Sequence, residues 1–394
     1  MFQLAHRVEA LKGSAIMEMS AKAAEMKARG VDVISLAAGE PDMATPIEIQ
    51  RAATKAMSDG ITKYTPAQGF LALREALSEK LKKENDLSYS PKEIVVCSGA
   101  KHAISLTLQC LLNPGDHVLI PTPAWVSYKP MVELCGASVI PLPTYEEDSF
   151  QPNVDRWKGL SIPATAKGII LNSPSNPIGI VYSKKVLKDL ASWALQRNLW
   201  IISDEIYEKI TFDDHPHFSL AALGPEVKEH TITISGFSKC FAMTGWRLGW
   251  ACAPEELISR MAALQSQTNS HVTSFVQWAA ITAAKLPADI TTQMVVEFDK
   301  RRHYIMSRLD AMKAHLSYPT PTGAFYVFIN LSPWLKDHGM TDVEFSKVFL
   351  DKSHVGVVPG SMFGKENYIR ISYATSLPQL EKAMDRLESF LSAT

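Results

Sequence analysis

The segment KGIILNSPSNPIGIVYSKKVLKDLASWALQRNLWIISDE, residues 167–205, holds two apolar runs separated by an amphipathic stretch. The runs KGIILNSP and LWIISDE are short and rich in Ile and Leu, which is typical of strands buried on both faces of a parallel sheet. Between them, Ser183 is placed to cap a helix. One face of this helix carries Val186, Leu187, Leu190, Ala194 and Leu195. The segment therefore predicts a strand–helix–strand unit.

Similar apolar runs lie on both sides of this unit. They are EIVVCSG (93–99), HVLIPTP (117–123), HTITISG (230–236) and WRLGWACAP (246–254). Helical patterns separate several of these runs, and Thr45-Pro46-Ile47-Glu48 has the form of a capping box for a helix that Gly60 closes. Such alternation predicts an α/β fold with a doubly wound, mostly parallel sheet.

The C-terminal part of the chain has a different pattern. A long helix with the charge cluster 299–302 precedes AFYVFIN, a helix near 342–352, the strand NYIRISYA and a closing helix. This order predicts a smaller α+β domain. We expect an N-terminal arm with part of the small domain at 1–45, a large domain at 46–285 and a small C-terminal domain at 286–394.

Charge and cysteine content disfavour several classes of protein. The 394 residues carry 40 basic and 41 acidic side chains, a formal net charge of -1, which argues against nucleic acid or an anionic membrane as partner. The opening MFQLAHRVEA has no apolar signal region, and no uncharged stretch reaches membrane-spanning length. Five cysteines without a C-x-x-C pair fit a reducing compartment. We expect a soluble, cytoplasmic protein without a metal site.

Ligands of an open parallel sheet collect beyond the carboxyl ends of its strands, where this sequence places polar residues after five runs. These residues are Gly99-Ala100-Lys101, Trp125, Asn176, the group from Asp204 to Tyr207, and the group from Ser235 to Lys239. We expect them to converge on one crevice.

Lys239 and Asp204 are the main candidates for chemistry. Lys239 lies between Phe237 and Phe241, where desolvation would lower its pKa and leave a neutral amine able to form a Schiff base. The ordinary alternative is a solvated surface lysine. Asp204 ends an apolar run that disfavours an unpaired carboxylate. It either caps a helix or pairs with a buried cation, such as a protonated pyridine nitrogen in a ring that acts as an electron sink.

Four further side chains suit an aromatic cofactor and an anionic substrate. Tyr207 and Asn176 can bond a phenolate oxygen, although a half-buried aromatic and a plain turn are the alternatives. Trp125 can lie over an aromatic ring or simply pack between domains. Arg370, inside a strand, requires an anion, which is either a substrate carboxylate or a structural salt-bridge partner.

A phosphate site is predicted where Gly99-Ala100-Lys101 opens a helix after a strand, because small residues let backbone N–H groups approach an anion. Arg247 can add a bidentate contact. The sequence contains neither G-x-G-x-x-G nor G-x-x-x-x-G-K-[ST], which disfavours NAD and nucleoside triphosphates.

Taken together, these segments resemble the class I and II aminotransferases of pyridoxal 5'-phosphate (PLP) fold type I, and closely their bacterial aspartate aminotransferase branch. The similarity runs over essentially the whole chain. Its motifs are AAGEPD (37–42), TKYTPAQG (62–69), PAWVSY (123–128), NSPSNPIG, SDEIYE, SGFSKCFAMTGWRLGW, TGAFYVF (322–328), VVPGSMFG (357–364) and YIRISYA.

The resemblance implies a role for each matched residue. Lys239 would be the Schiff-base lysine and proton shuttle, Asp204 would hold the pyridinium, and Asn176 and Tyr207 would bond the ring oxygen. Trp125 would stack on the ring, while Arg370 and the Gly39 backbone would bind the substrate. The phosphate would lie among Gly99, Ala100, Lys101 and Arg247. Tyr64 would reach the phosphate of a neighbouring subunit, which implies a homodimer with shared active sites.

Two positions depart from the family pattern. Gly236 stands where many relatives carry a phosphate-binding hydroxyl, so either Ser235 or Ser238 would substitute. No arginine for a distal carboxylate stands out in QSQTNSHVTS (265–274). Lys101 is the candidate for that carboxylate, with a phosphate-side or surface lysine as the alternative.

The implied reaction is L-aspartate plus 2-oxoglutarate to oxaloacetate plus L-glutamate, by a ping-pong mechanism. An aromatic, prephenate or broad-range aminotransferase, or a PLP-dependent β-lyase, would share nearly all of these residues. A PLP-sensing regulatory module and a structural protein with a vestigial site are the alternatives that are not enzymes.

Overall fold

Within residues 2–9, 11, 15–287 and 289–393, which the computed structural model describes, the chain forms fourteen α-helices and twelve strands. The helices are α1 (His6–Glu9), α2 (Ala15–Ala28), α3 (Ile47–Ser58), α4 (Leu71–Asn85), α5 (Ala100–Leu111), α6 (Tyr128–Glu133), α7 (Lys184–Leu195), α8 (Pro225–Glu229), α9 (Glu255–Thr268), α10 (Ser274–Lys285), α11 (Asp289–Ala311), α12 (Ser332–His338), α13 (Asp342–Ser353) and α14 (Leu377–Ser392). The strands are β1 (Ile34–Ser35), β2 (Ile94–Cys97), β3 (His117–Thr122), β4 (Ser138–Pro143), β5 (Ala166–Asn172), β6 (Trp200–Asp204), β7 (Thr231–Gly236), β8 (Gly249–Cys252), β9 (Tyr326–Asn330), β10 (Val355–Gly356), β11 (Val358–Pro359) and β12 (Tyr368–Ser372).

A seven-stranded sheet in the order β2-β8-β7-β6-β5-β3-β4 forms the centre of the molecule. Its strands from β7 to β4 are mutually parallel, and β8 runs antiparallel to both of its neighbours. Alternate residues of β5 and β6 face opposite layers: Ile170 and Ile202 pack with α5, and Ile169 and Ile201 pack with α7. Helices therefore cover both faces, and the predicted doubly wound α/β fold is confirmed.

One strand of this sheet was not predicted from the sequence. β4 has the sequence SVIPLP, and it lies at the edge of the sheet beside β3. Its two prolines and partly exposed side chains weakened the strand pattern, whereas an edge strand tolerates proline because one row of its N–H groups needs no partner.

The two predicted helix caps had different outcomes. Ser183 Oγ accepts a hydrogen bond from Val186 N at 3.2 Å, so the predicted cap of α7 is confirmed. The capping box at Thr45 is wrong, because α3 begins at Ile47 without a side-chain cap. The Thr45 hydroxyl instead donates to Ala242 O at 2.8 Å, which ties the start of α3 to the loop after β7.

A smaller α+β unit contains the antiparallel sheet β11-β12-β9 and the helices around it. The helix predicted near 342–352 is α13, and the long charged helix is α11. β1 pairs with β10, so residues near the N-terminus join a segment more than 300 positions later. The domain division proposed from the sequence stays a prediction.

None of the helices described here is both long enough and apolar enough to cross a membrane.

Candidate active site

A cavity of about 350 Å³ lies at the carboxyl ends of the parallel strands, beside β9 and β12 of the smaller unit. Strands β5, β6 and β7 end at Asn172, Asp204 and Gly236, so side chains at these ends and in the loops after them face the same space. The residues predicted for the site that line this cavity are Gly39, Ala100, Lys101, Trp125, Asn176, Asp204, Tyr207, Lys239, Arg247 and Arg370.

Lys239 follows β7 by three residues and is mostly buried in the cavity wall. Its Nζ donates to Gly39 O at 2.5 Å. Burial lowers the pKa of Lys239 to about 8; the negative charge of Glu40 opposes this shift, and Arg370 and Arg247 reinforce it. The amine is therefore far more easily deprotonated than an ordinary lysine, as a nucleophile or base requires.

Asp204, the last residue of β6, is fully enclosed. Its Oδ2 accepts from the Tyr128 hydroxyl at 2.7 Å, and its Oδ1 accepts from Ile206 N at 3.3 Å. Burial raises the pKa of Asp204 to about 6, although the bond from Tyr128 opposes the shift. A buried carboxylate of this kind is stabilised by a cation placed in the cavity.

Arg370 on β12 is buried and lines the same cavity. It donates to Asn176 Oδ1 at 3.0 Å and to Ala37 O at 2.5 Å, and its guanidinium lies 4.5 Å from the Tyr326 ring centroid. Its Nε has no hydrogen-bond partner, and no carboxylate among the described residues forms an ion pair with it. A buried arginine in this condition requires an anion from outside the chain.

The remaining end of the cavity suits a phosphate. Gly99, with φ +89°, immediately precedes α5, whose first N–H groups have no partner within the helix. A Cβ on Gly99 would lie 2.6 Å from Arg247 Nη2, so only glycine permits this approach. Arg247 is held by Thr244 O at 2.7 Å and Ser98 O at 3.2 Å.

The structure distinguishes the two serines between which the sequence left a choice. Ser238 lines the cavity. Ser235 is buried outside it, and its hydroxyl donates to Glu205 O at 3.4 Å. Ser238 is therefore the serine whose hydroxyl is available to an anion in the cavity.

Lys101 and Trp125 form one rim of the cavity. The Lys101 Nζ lies 4.9 Å from the Trp125 ring centroid, and burial lowers the pKa of Lys101 with a further contribution from Arg247. The lysine remains exposed, so its ammonium group is accessible to a second anionic group on a ligand.

Tyr64 is not brought into this cavity. Its side chain is 92% exposed and contacts His271 edge to face, with ring centroids 5.5 Å apart. Within a single chain, the other predicted residues thus form the site without it.

Five residues that line the cavity were not predicted for the site: Ala37, Tyr128, Asn172, Thr244 and Tyr326. Asn172 Nδ2 donates to Asp204 O at 3.0 Å, and its Oδ1 accepts from Asn176 N at 2.8 Å. The hydroxyls of Tyr326 and Tyr207 lie 2.8 Å apart. Tyr128 and Tyr326 stand inside the quoted motifs PAWVSY and TGAFYVF, which was the available signal for them.

The donor set fits a flat aromatic cofactor that carries a basic ring nitrogen, an aldehyde and a phosphate. A cation such as a protonated ring nitrogen would stabilise the buried carboxylate of Asp204. Lys239 supplies an amine able to condense with an aldehyde. The start of α5 and Arg247 supply donors for an anion. PLP has all three groups.

Comparisons with known proteins point in the same direction. A family model described as "Aminotransferase class I and II" matches residues 31–387. An aspartate aminotransferase of Bacillus sp. (strain YM-2) is 43% identical over 389 residues, covering 98% of this chain and 99% of that protein. An aspartate/prephenate aminotransferase of Thermus thermophilus is 40% identical over 393 residues, 98% of each chain. The structure of aspartate aminotransferase from Thermus thermophilus with maleate superimposes with a TM-score of 0.92 at 39% identity, covering 99% of this chain and 100% of that chain.

Proposed function

The chain belongs to the class I and II aminotransferases, which depend on PLP, and we propose that it converts L-aspartate and 2-oxoglutarate to oxaloacetate and L-glutamate. One arrangement carries the proposal. An amine of lowered pKa, a buried carboxylate and a buried arginine with an unpartnered Nε share a single cavity. Amino-group transfer between acids needs all three: the amine acts as the base, the carboxylate holds the cofactor, and the arginine binds the carboxylate of the substrate.

The cofactor would be held from three sides. Asp204 would pair with the ring nitrogen, Trp125 would lie over the ring, and Asn176 and Tyr207 would bond the ring oxygen. The phosphate would be bound by the backbone of Gly99, Ala100 and Lys101 and by the side chains of Ser238 and Arg247. All of these except Gly99 line the cavity, and Gly99 lies directly behind Arg247.

When bound, PLP withdraws electrons from the α-carbon of the attached amino acid and so acidifies the proton on that carbon. Lys239 Nζ would take up this proton and release it again later in the reaction, and so would act as the proton shuttle. A pKa of about 8 lets Lys239 accept and release a proton near neutral pH. The Tyr128 hydroxyl favours the ionised form of Asp204, which would hold the positive charge on the ring nitrogen. Because the first oxo acid leaves before the second binds, the kinetics are ping-pong.

Two cations would bind the carboxylates of the substrate. Arg370 would take the α-carboxylate, aided by Asn176 and the Gly39 backbone, because its Nε is free and its position is fixed by two hydrogen bonds. Lys101 at the rim would take the distal carboxylate. The relative solved with maleate, a four-carbon dicarboxylate, supports a dicarboxylic substrate.

A second candidate function is favoured by the Thermus relative whose name includes prephenate. The alternative is an aromatic, prephenate or broad-range aminotransferase, and a β-lyase is the less favoured one. Stopped-flow half-reactions on purified holoenzyme separate them, with aspartate, tyrosine, glutamate and cystathionine as amino donors and prephenate as the amino acceptor. We expect aspartate to react fastest; tyrosine reacting as fast as aspartate would refute the substrate assignment, and pyruvate release from cystathionine would indicate a lyase.

We also propose a homodimer with shared active sites, supported by the exposure of Tyr64 outside its own cavity. The test mixes two inactive variants, Tyr64→Ala and Lys239→Ala, and measures the recovered activity. If Tyr64 serves the neighbouring site, a mixed dimer contains one intact site. Activity should then recover, whereas no recovery from a mixture shown to exchange subunits would refute the shared site.

A cytoplasmic location is proposed from the cysteines. All five, Cys97, Cys110, Cys135, Cys240 and Cys252, are free thiols, as a reducing compartment would leave them. Fractionation of cells that express the tagged chain tests this, and recovery with a membrane or secreted fraction would contradict it.

A further inference from the structure

The segment with Asp204 at the end of β6 and Tyr207 in the following turn also carries two buried acids with no part in the mechanism. Glu205 and Glu208 directly follow the two site residues, and neither lines the cavity. Both are nearly inaccessible, at 1% and 8% exposure. Site residues and buried acids thus alternate along the turn, facing the cavity and the protein interior respectively.

Glu208 is bound by helix α4. Its Oε1 forms an ion pair with Lys80 Nζ, and its Oε2 accepts from Asn85 Nδ2. Lys80 is itself buried, lies 2.9 Å from Asn85 Oδ1, and has Glu84 at 3.5 Å. Burial alone would raise the pKa of Glu208. The charges of Lys80, His217 and Lys209 and the hydrogen bond from Lys80 together outweigh burial and lower the pKa to about 2, so the carboxylate stays ionised.

Glu205 is bound by four donors, one from β6 and three from residues 217–220. Its Oε1 accepts from Ser203 Oγ at 2.8 Å and Leu220 N at 3.2 Å. Its Oε2 accepts from Ser219 Oγ at 2.6 Å and faces His217 Nε2 at 3.1 Å. Asn85 Nδ2 also lies 3.1 Å from Ser219 Oγ, which joins the two carboxylates into one network.

Such a network contributes little to stability for its size. A buried ion pair loses about as much hydration free energy as it gains by attraction, and apolar residues of the same volume often stabilise a fold better. Its distinctive property is geometric, because every carboxylate oxygen has a fixed donor. Two such carboxylates, each adjacent to a residue of the cofactor site, therefore fix the orientation of the turn between them.

We propose that Lys80, Asn85, Glu205, Glu208 and Ser219 are positioning residues that hold the turn after β6 against α4, so that Asp204 and Tyr207 face the cofactor. This rests on the cofactor roles proposed above for those two residues. The backbone bonds Glu208 N to Glu205 O at 2.9 Å and Ile210 N to Tyr207 O at 2.8 Å close the turn but do not attach it to α4. The side-chain network supplies that attachment.

The experiment compares Lys80→Met, Glu208→Gln and the double variant with the wild-type holoenzyme. Each is examined by amide hydrogen exchange over residues 204–210, by the PLP dissociation constant, and by kcat and KM. Lys80→Met leaves the Glu208 charge buried without its partner, so we expect about tenfold faster exchange in the turn and about tenfold weaker PLP binding. The double variant removes both charges but does not restore the link to α4, so its exchange rate in the turn and its PLP dissociation constant should stay at least about threefold above wild type. A return to wild-type values would show that an unpaired charge causes the effect, and it would overturn the proposal.

Arg302→Met is the matched control. Arg302 is 1% exposed and pairs with Asp213 and Asp299, but it lies outside the cavity. It should lower the unfolding temperature without changing PLP affinity or exchange at 204–210. If Lys80→Met does not fold, Asn85→Ala breaks the link between Glu208 and Ser219 without removing a charge, and the same comparison applies.

The possible results distinguish failure of the positioning role from failure of the proposed aminotransferase activity. Unchanged exchange and PLP affinity in Lys80→Met would overturn the positioning role while leaving transamination intact. Equal losses in Arg302→Met would also overturn it, because they would show a general effect of stability. A wild-type chain that did not transaminate would refute the proposed function. The exchange rates of residues 204–210 in the variants would still show whether α4 holds the turn in place.

Discussion

Replacing Tyr128 by Phe should weaken cofactor binding through a single lost hydrogen bond. The Tyr128 hydroxyl donates to Asp204 Oδ2 at 2.7 Å, and the other carboxylate oxygen has only the longer bond of 3.3 Å from Ile206 N. The substitution keeps the ring and its edge contact with Trp125, whose centroid lies 5.2 Å away. The perturbation is therefore confined to the hydroxyl.

The size of the effect follows from the charge on Asp204. A hydrogen bond to a charged group contributes about 1.5–3 kcal/mol, which corresponds to about one to two pKa units. Because the lost bond stabilised the carboxylate, the pKa of Asp204 would rise from about 6 by that amount. At pH 7 its ionised fraction would fall from about nine-tenths to between about half and one-tenth. The PLP dissociation constant should rise about two- to tenfold, since binding requires the ionised form.

The assay is a titration of apoprotein with PLP between pH 6 and 8. The affinity deficit of Tyr128→Phe should shrink as the pH rises, because Asp204 then ionises in both proteins. Tyr373→Phe is the control, since that phenol is equally buried but bonds Ala324 O at 3.4 Å, outside the cavity. Equal PLP affinity of Tyr128→Phe and wild type at every pH would refute the reasoning.

Three further predictions concern the same cavity. Because the folded pKa of Asp204 (about 6) exceeds the usual 3.8, its charge opposes folding, and apoprotein stability falls as pH rises from about 4 to about 6. The free energy of unfolding of Asp204→Asn apoprotein, measured in urea at pH 7, should therefore exceed that of wild type by up to about 3 kcal/mol, although the variant should bind PLP poorly. A lower free energy of unfolding would contradict this prediction. Arg370→Lys should raise KM for both substrates about 100-fold with little change in PLP affinity, and unchanged KM would count against it. Lys101→Met should raise KM about tenfold for aspartate but not for tyrosine, and equal changes for both would disprove the assignment.

Much of the fold followed from the sequence because its strands are short apolar runs with two buried faces. Ile169 and Ile201 pack on one layer of helices, and Ile170 and Ile202 pack on the other, so a continuous apolar run was the correct signal. β4 lacked that signal, because an edge strand carries prolines and exposed positions. The Thr45 capping box failed because a loop 197 residues away uses the same hydroxyl.

The site was predictable where the chemistry follows the end of a strand, and less so where it depends on contacts across the fold. Lys239 and Asp204 stand directly after apolar runs, which the sequence displays. The bond between Tyr128 and Asp204 joins residues 76 positions apart, and the pair of Lys80 and Glu208 spans 128 positions. No local pattern encodes such pairs, because any tyrosine or lysine on the correct face of a helix would produce the same periodicity.

The central claim is that Lys239 forms the covalent link to PLP. Holoprotein isolated with added PLP is treated with borohydride, digested, and examined by peptide mass spectrometry, with Lys239→Ala as the control. We expect a reduced pyridoxyl group on Lys239 in wild type and none at position 239 in the variant. A peptide unmodified at position 239 in protein that has retained PLP, or a pyridoxyl group on another lysine, would contradict it.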